Sequence, residues 1–261
     1  MPRASSDNLE QIVNPKEALT AWLGLHQRMN GRVTIHLAAS CKASAERIEL
    51  SSGTRPADMR ETADLVHGAS YENGARLPRD PWRPPTKEET ESLVVAEPPS
   101  STATSVAIVK LPDDLTSDLP EIVRLGNAEA LEVTLLQSLR TICELDEPLH
   151  CIGPTQNPAN LKTVTVNHDI GRYNGLHVDN WDPFPLDSRH LATNRICVNL
   201  GQGNRYFLFL PFSLMDIAKV LSEEMAPGWE MPRRYTMIGR QFMERFPQVP
   251  VIRCRVMRGE A

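Results

Sequence analysis

The sequence has no apolar run long enough to cross a bilayer, so no spanning helix is expected. Its first residues, MPRASSDNLEQ, lack the apolar segment of a secretory signal. Aromatic residues are only 5% of the chain, and the net charge of -5 gives no attraction to nucleic acid or acidic lipid. We therefore expect a cytoplasmic protein that uses neither nucleic acid nor a membrane as a partner.

Paired cysteines and several common catalytic motifs are also missing. There is no C-x-x-C pair, G-x-S-x-G, H-E-x-x-H or phosphate-binding glycine loop. The short GQGN segment is a turn, because no helix follows it directly. The cysteines are odd in number and scattered, which predicts reduced thiols rather than a disulfide framework or a zinc knuckle: Cys41, Cys143, Cys151, Cys197 and Cys254.

Apolar residues at three- and four-residue steps predict helices at 15–29, 127–145, 213–225 and 235–246. Earlier strands are expected in RVTIHLAAS, RIELSSG and TSVAIVKL. From residue 161 the pattern becomes mainly β, with strands in LKTVTVNHD, NRICVNLG, NRYFLFLP and VPVIRCRVMRGE. GQGN would join the second and third of these strands as a hairpin.

These elements predict a single α+β domain over 1–261 with an antiparallel sandwich or barrel as its core. Residues 1–160 would form helical and strand support, with an irregular proline-rich excursion at 76–105. Residues 161–261 would supply the strands of the core.

The segment GLHVDNWD raises the question of a metal site. Alternate residues of an extended segment point the same way, so His177 and Asp179 can reach one ion. Non-haem Fe(II) enzymes bind iron with two histidines and one carboxylate on one face of an octahedron. An H-x-D pair alone is a weak signal, and a solvated hydrogen-bonding loop is the alternative. Trp181 would either line a substrate pocket or anchor the loop.

The longer run HDIGRYNGLHVDNWDPFPLDSRHLATNRICVNLGQGNRYFLFLP resembles the Fe(II)/2-oxoglutarate-dependent oxygenase superfamily. It looks most like bacterial members that modify amino acids or natural-product intermediates. The resemblance implies a double-stranded β-helix, also called a jelly roll or cupin-like fold. It further implies Fe(II) as cofactor, 2-oxoglutarate as co-substrate and hydroxylation of a small-molecule substrate. His177 and Asp179 would be the first two iron ligands, and an aspartate at that position favours hydroxylation over halogenation.

Three further residues are candidates for binding the co-substrate. Tyr173 precedes the motif, and packing in the core is its alternative role. Arg195 and Asn199 share one face of their expected strand with Cys197. If that face lines the barrel, Arg195 or Asn199 would hold a carboxylate. If the opposite face does, both residues face solvent or lie under the helices.

The sequence departs from the family pattern at the third iron ligand, because no histidine follows His190. Three explanations remain open: a fragment of a longer oxygenase, a homologue without iron, or a ligand from elsewhere such as His168 or His190. We favour the fragment, because the sequence ends in a strand pattern without the partners that a closed barrel requires. The alternative functions are an inactive jelly-roll module that binds a small molecule or a protein, and a different cupin-like metalloenzyme. The unpaired strand edge also makes a homo-oligomer an expected partner state.

Overall fold

The computed structural model describes residues 33–38, 41, 45–58, 60–64, 67–97, 104–124, 128–143, 149–179 and 184–261. The helix predicted at 15–29 and the side chain of Trp181 lie outside the described residues. Short strands occur throughout the described chain: β1 Thr34–Leu37, β2 Ile48–Leu50, β3 Thr54–Pro56, β4 Arg76–Pro78, β5 Val94–Val95, β6 Ser105–Ile108, β7 Val166–Asn167, β8 Arg172–Tyr173, β9 Arg205–Phe209 and β10 Ile252–Val256.

The described α-helices are α1 Lys87–Leu93, α2 Asp113–Arg124, α3 Ala128–Cys143, α4 Leu214–Glu224 and α5 Tyr235–Arg245. The described residues also form 3-10 helices at Ala45–Arg47 and Leu186–Leu191. Helix α1 begins with a capping box, in which Glu89 N donates to Thr86 Oγ1 and Thr86 N donates to the Glu89 carboxylate. Ser213 caps α4 by accepting a hydrogen bond from Asp216 N.

The strands form several small sheets. The order β5-β1-β6 makes a three-stranded sheet in which β1 is parallel to both neighbours. The order β2-β10-β9 makes a three-stranded antiparallel sheet, so β10 lies between an early strand and a late one. The pairs β3-β4 and β7-β8 are separate two-stranded antiparallel sheets.

The main hydrophobic core lies between helices α4 and α5 and the two three-stranded sheets. Phe212, Leu221 and Phe242 are buried there with Ile35 and Ile252. A second cluster joins α2 and α3 through Leu111, Leu115, Leu135 and Leu139. Phe212 and Phe242 meet edge to face, with ring centroids 6.1 Å apart. Such aromatic pairs add about 0.5–1.5 kcal/mol beyond the area that they bury.

The mixture of helices and strands agrees with the α+β prediction, but its details differ. The described residues include no closed barrel, and the β5-β1-β6 sheet is parallel where an antiparallel core was expected. No helix in the described part of the chain is long and apolar enough to cross a membrane. The predicted helices at 127–145, 213–225 and 235–246 are confirmed by α3, α4 and α5 within the described residues.

The strand predicted for NRICVNLG does not form, and this prediction was wrong. Val198 and Leu200 pack against the α2–α3 cluster rather than into a sheet. The Asn199 backbone makes two hydrogen bonds, N to Glu260 O at 2.9 Å and O from Gly259 N at 2.8 Å. The GQGN turn is closed by the Asn199 side chain, but it does not join two paired strands.

The proline-rich stretch at 76–105 is more regular than predicted. It contains β4, α1, β5 and the first residue of β6, and 98–103 lies outside the described residues. Arg83 donates two hydrogen bonds of 2.6 Å to the buried Glu89 carboxylate. The capping box and this ion pair supply the local order that proline content alone does not predict.

Candidate functional site

The segment that contains His177 and Asp179 begins at Gly175, two residues after the end of β8. Gly175 has a φ of 71°, and a Cβ there would lie 2.7 Å from the carbonyl oxygen of Arg76. The next residue, Leu176, donates its N–H to that same oxygen at 2.8 Å. Only glycine fits a positive φ with so close a neighbour. Gly175 therefore allows the close approach to Arg76, and the Leu176 hydrogen bond ties the segment to β4.

Val178 turns toward helix α5 and packs against the main core. Its N–H donates to the Oγ1 atom of Thr236 at 3.3 Å, and the Thr236 hydroxyl donates to the Val178 carbonyl at 3.4 Å. Because neighbouring residues of an extended segment alternate in direction, His177 and Asp179 share the side opposite Val178.

The side chains of His177 and Asp179 meet at their ends. Nε2 of His177 lies 3.2 Å from Oδ1 of Asp179. Nδ1 of His177 donates to the carbonyl oxygen of Gly175 at 2.9 Å, which fixes the ring and leaves Nε2 directed at the carboxylate. The His177 side chain is 18% exposed and that of Asp179 is 50% exposed, so the pair is accessible from solvent.

Each member of the His177–Asp179 pair stabilises the charged form of the other. The hydrogen bond to Asp179 is the main cause that raises the pKa of His177 above its ordinary value, against the opposing effect of burial. The same hydrogen bond, together with the nearby Arg195 charge, lowers the pKa of Asp179. Near neutral pH the carboxylate is therefore ionised and directed at the imidazole.

Two arginines surround Asp179. Arg195 Nη1 lies 3.3 Å from Oδ2 of Asp179, on the oxygen that His177 does not contact. Arg189 Nη2 donates to the Asp179 carbonyl at 2.7 Å, and its guanidinium lies 5.6 Å from the centre of the Tyr235 ring. The side chain and the backbone of Asp179 are thus each held by a different arginine.

The spacing of the two side chains suits a bound metal ion. Ligand bonds of about 2.0–2.2 Å at right angles place neighbouring ligand atoms about 3 Å apart. The 3.2 Å between His177 Nε2 and Asp179 Oδ1 matches that spacing. A histidine whose other nitrogen donates to a backbone carbonyl is the usual arrangement in metal sites. The pair therefore fits two neighbouring coordination positions.

The described residues do not provide a complete ligand set. Among them, no group of three or more His, Cys, Asp or Glu side chains is placed to hold a metal ion. His168 lies in the exposed turn between β7 and β8, and His190 lies exposed in the 3-10 helix. The third ligand thus has no counterpart in the part of the chain that is described.

Tyr173 and Asn199 have structural contacts. Tyr173 is buried, and its hydroxyl donates to Oδ2 of the buried Asp64 at 2.9 Å. Asn199 Nδ2 donates to Gly203 O and Val256 O, while its Oδ1 accepts from Gly201 N. These contacts occupy the polar groups that would otherwise face a co-substrate.

Sequence reasoning missed the residues that support the motif from a distance. Thr236 and Arg240 lie on the same face of α5, and Arg240 forms an ion pair with Glu72. Arg240 Nη2 also donates to the carbonyl of Asn174 at 3.2 Å, just before Gly175. No local pattern indicates these contacts, because they join segments separated by more than fifty residues.

A surface cavity of about 410 Å³ lies elsewhere, at the start of α2. It is lined by Lys110, Leu111, Pro112, Asp113 and Ile142, and it includes none of the candidate residues. In comparisons with protein-family models, with curated proteins and with solved structures, nothing matches this chain.

Proposed function

We propose that this chain belongs to an Fe(II)/2-oxoglutarate-dependent oxygenase that hydroxylates a small molecule, such as an amino acid or a natural-product intermediate. The observation that carries the proposal is the 3.2 Å approach of His177 Nε2 to Asp179 Oδ1, with Nδ1 already engaged by Gly175. A double-stranded β-helix core is part of the proposal. The antiparallel β2-β10-β9 sheet supports it by joining strands from both halves of the chain.

The electrostatics of the pair favour a cation between the two side chains. When the imidazole is neutral, its Nδ1 proton is donated to Gly175, so Nε2 presents a lone pair to the Asp179 carboxylate. Two acceptors that face each other repel, and either a proton or a metal ion removes the repulsion. Since both groups are also good ligands for Fe(II), the pair is suited to a divalent metal.

The roles of the chain's own residues follow from this arrangement. His177 and Asp179 would hold the iron, and Arg195 is placed beside them to attract a carboxylate of 2-oxoglutarate. When bound, Fe(II) with 2-oxoglutarate supplies the activation of dioxygen. Arg189 fixes the backbone of Asp179, while Tyr173 and Asn199 keep their packing and turn contacts.

A second candidate function is a jelly-roll module that binds a small molecule or a protein without catalysis. The observation that favours it is the ligand count, because the described residues place only His177 and Asp179 together at this position. In that case the His177–Asp179 pair with Arg195 would be a polar binding surface.

The experiment that separates the two functions is a titration of the purified chain with Fe(II) and 2-oxoglutarate without oxygen. If the chain is an oxygenase, we expect the charge-transfer absorption band of the iron–2-oxoglutarate chelate. We also expect succinate to form after oxygen is admitted. The band should be lost in His177→Ala and retained in His150→Ala, a control at an exposed histidine outside the site. A folded protein without the band would support the binding module. His168→Ala and His190→Ala then test whether either residue is the third ligand.

A further inference from the structure

We infer that Thr236 is a positioning residue that fixes the spacing of His177 and Asp179 from helix α5. The inference rests on the proposed function, because it assigns to Thr236 the support of the two proposed iron ligands. Thr236 itself contacts only the backbone of Val178, the residue between them.

One side chain here makes hydrogen bonds to both backbone groups of a single residue. The Val178 N–H donates to Thr236 Oγ1 at 3.3 Å, and the Thr236 hydroxyl donates to Val178 O at 3.4 Å. Residues 177–179 belong to no strand, so no sheet ladder holds them. The Thr236 hydroxyl therefore makes the backbone hydrogen bonds that a neighbouring strand would otherwise make. In this way it fixes the rotation of residues 177–179 about the chain direction.

The helix that carries Thr236 is itself firmly anchored. At its far end, Arg76 Nη2 and Thr54 Oγ1 donate to the carbonyl of Met243 at 2.9 Å and 3.1 Å. One turn after Thr236, Arg240 pairs with Glu72 and donates to the carbonyl of Asn174. The segment before Gly175 and the centre of the motif are thus held by one face of α5.

Rotation of the Val178 backbone would move the side chains of His177 and Asp179 at the same time. His177 is also held by Gly175 within the same segment, and Asp179 is held by Arg189 and Arg195 from the chain that follows, but none of these contacts joins the motif to α5. Thr236 is the described side chain that links the motif's centre to α5, so its loss should loosen the Nε2–Oδ1 spacing. A hydrogen bond to a metal ligand itself commonly changes metal affinity by about 10–100-fold; Thr236 acts on the residue between the two ligands, so the lower end of that range applies.

The test compares Thr236→Val, which keeps the shape and removes the hydroxyl, with Thr236→Ser, which retains it. Gly239→Ala is the packing control, because its added Cβ would meet Val178 Cγ2 at an ordinary 3.7 Å. Two readouts are needed: hydrogen exchange of the Val178 amide without metal, and anaerobic Fe(II) affinity of the whole chain.

In Thr236→Val, we expect the Val178 amide to exchange at least about tenfold faster and Fe(II) to bind about tenfold more weakly. Thr236→Ser should restore both values, and Gly239→Ala should change neither. Unchanged exchange in Thr236→Val would overturn the inference, as would faster exchange with unchanged Fe(II) affinity. If the wild-type chain fails to bind Fe(II), the proposed function and the ligand-positioning inference both fail. The exchange readout then shows separately whether Thr236 still holds the segment.

Discussion

The Nδ1 atom of His177 donates a hydrogen bond of 2.9 Å to the carbonyl oxygen of Gly175. A backbone carbonyl therefore orients the imidazole. This carbonyl belongs to Gly175, a glycine with a positive φ. Since Nε2 of the same ring approaches Asp179, the conformation of Gly175 directly controls the geometry of the candidate metal pair.

Substitution of Gly175 by alanine should damage both the fold and the site. The new Cβ would lie 2.7 Å from Arg76 O and 3.1 Å from Ala75 Cβ, at a φ of 71°. Strain at such a position costs about 1–3 kcal/mol, and the contact with a backbone oxygen adds to it. We expect a loss of about 3 kcal/mol in the free energy of unfolding, measured in urea, and Fe(II) binding at least about tenfold weaker.

Gly171→Ala is the matched control. Gly171 has a similar φ of 63°, but a Cβ there meets nothing within 4 Å. The alanine should cost about 1 kcal/mol and leave Fe(II) affinity unchanged. Equal losses of stability in the two variants would contradict the role assigned to the contact between Gly175 and Arg76.

Arg195→Met should change the affinities for metal and for co-substrate in opposite directions. The guanidinium lies 3.3 Å from Asp179, so its removal takes a positive charge away from the proposed metal position. The pair is partly exposed, and such a charge contributes about 0.2–1 kcal/mol. Fe(II) alone should bind up to about fivefold more tightly. The affinity for 2-oxoglutarate should fall about 10–100-fold, because a charge-assisted hydrogen bond contributes about 1.5–3 kcal/mol.

These affinities are measured by anaerobic titration of Fe(II), and then of 2-oxoglutarate into the Fe(II) form. Arg205→Met, an exposed arginine in β9, makes the same change of net charge outside the site. It should leave both affinities unchanged. Weaker binding of both ligands in Arg195→Met would indicate a structural role for Arg195 instead.

The parts of the fold that local patterns specify were predictable from the sequence. Helices α3, α4 and α5 have apolar stripes at helical spacing, and β9 and β10 are rich in β-branched or aromatic residues. Helix α1 was missed inside the proline-rich stretch, although its Thr86–Glu89 capping box is a local signal. Helix α2 was also missed, and it contains Pro120, which interrupts the usual pattern.

The parts that depend on distant partners were not predictable. Val198 and Leu200 alternate as a buried strand would, but two helices bury them instead of a sheet. The closeness of His177 and Asp179 follows from a two-residue spacing and could be inferred. In contrast, Thr236 lies 58 residues from Val178, and Asp64 lies 109 residues from Tyr173. Such contacts leave no periodic trace in a single sequence.

The buried ion pair between Arg47 and Glu260 predicts a large loss of stability when one partner is removed. Both side chains are 2% exposed, with Nη1 2.7 Å from Oε2. Glu260 also accepts a hydrogen bond of 2.8 Å from Met257 N. In Glu260→Gln the guanidinium keeps its charge without a counter-ion, which should cost about 3–5 kcal/mol in urea unfolding.

Glu121→Gln is the exposed comparison for that ion pair. Glu121 and Arg124 are 56% and 68% exposed, three residues apart on α2. Because water screens this exposed pair, its removal should change stability far less than removal of the buried pair. Comparable losses in Glu121→Gln and Glu260→Gln would mean that burial does not determine the cost.

Glu61 should make stability depend on pH in the acid range. Hydrogen bonds from Arg55, and then from Lys162, lower the pKa of Glu61 from 4.5 to about 2. A carboxyl whose folded pKa is depressed adds stability above its unfolded pKa and loses it as pH falls through the folded value. The contribution should therefore be complete above about pH 5 and disappear toward pH 2. Since Glu61, Arg55 and Lys162 are all partly exposed, we expect a contribution of about 1–2 kcal/mol to the free energy of unfolding after screening.

The measurement is urea unfolding of wild type and Glu61→Gln between about pH 2 and pH 7. Glutamine resembles the protonated carboxyl, so the two curves should converge near pH 2, separate as pH rises from about 2 to 5, and stay a constant distance apart above that. Glu91→Gln serves as the control, because Glu91 meets Lys87 only at 3.8 Å in an exposed pair. High salt should shrink the separation for Glu61→Gln, as expected for partly screened charges. A separation that stays constant across the whole pH range would instead assign the loss to packing of the side chain.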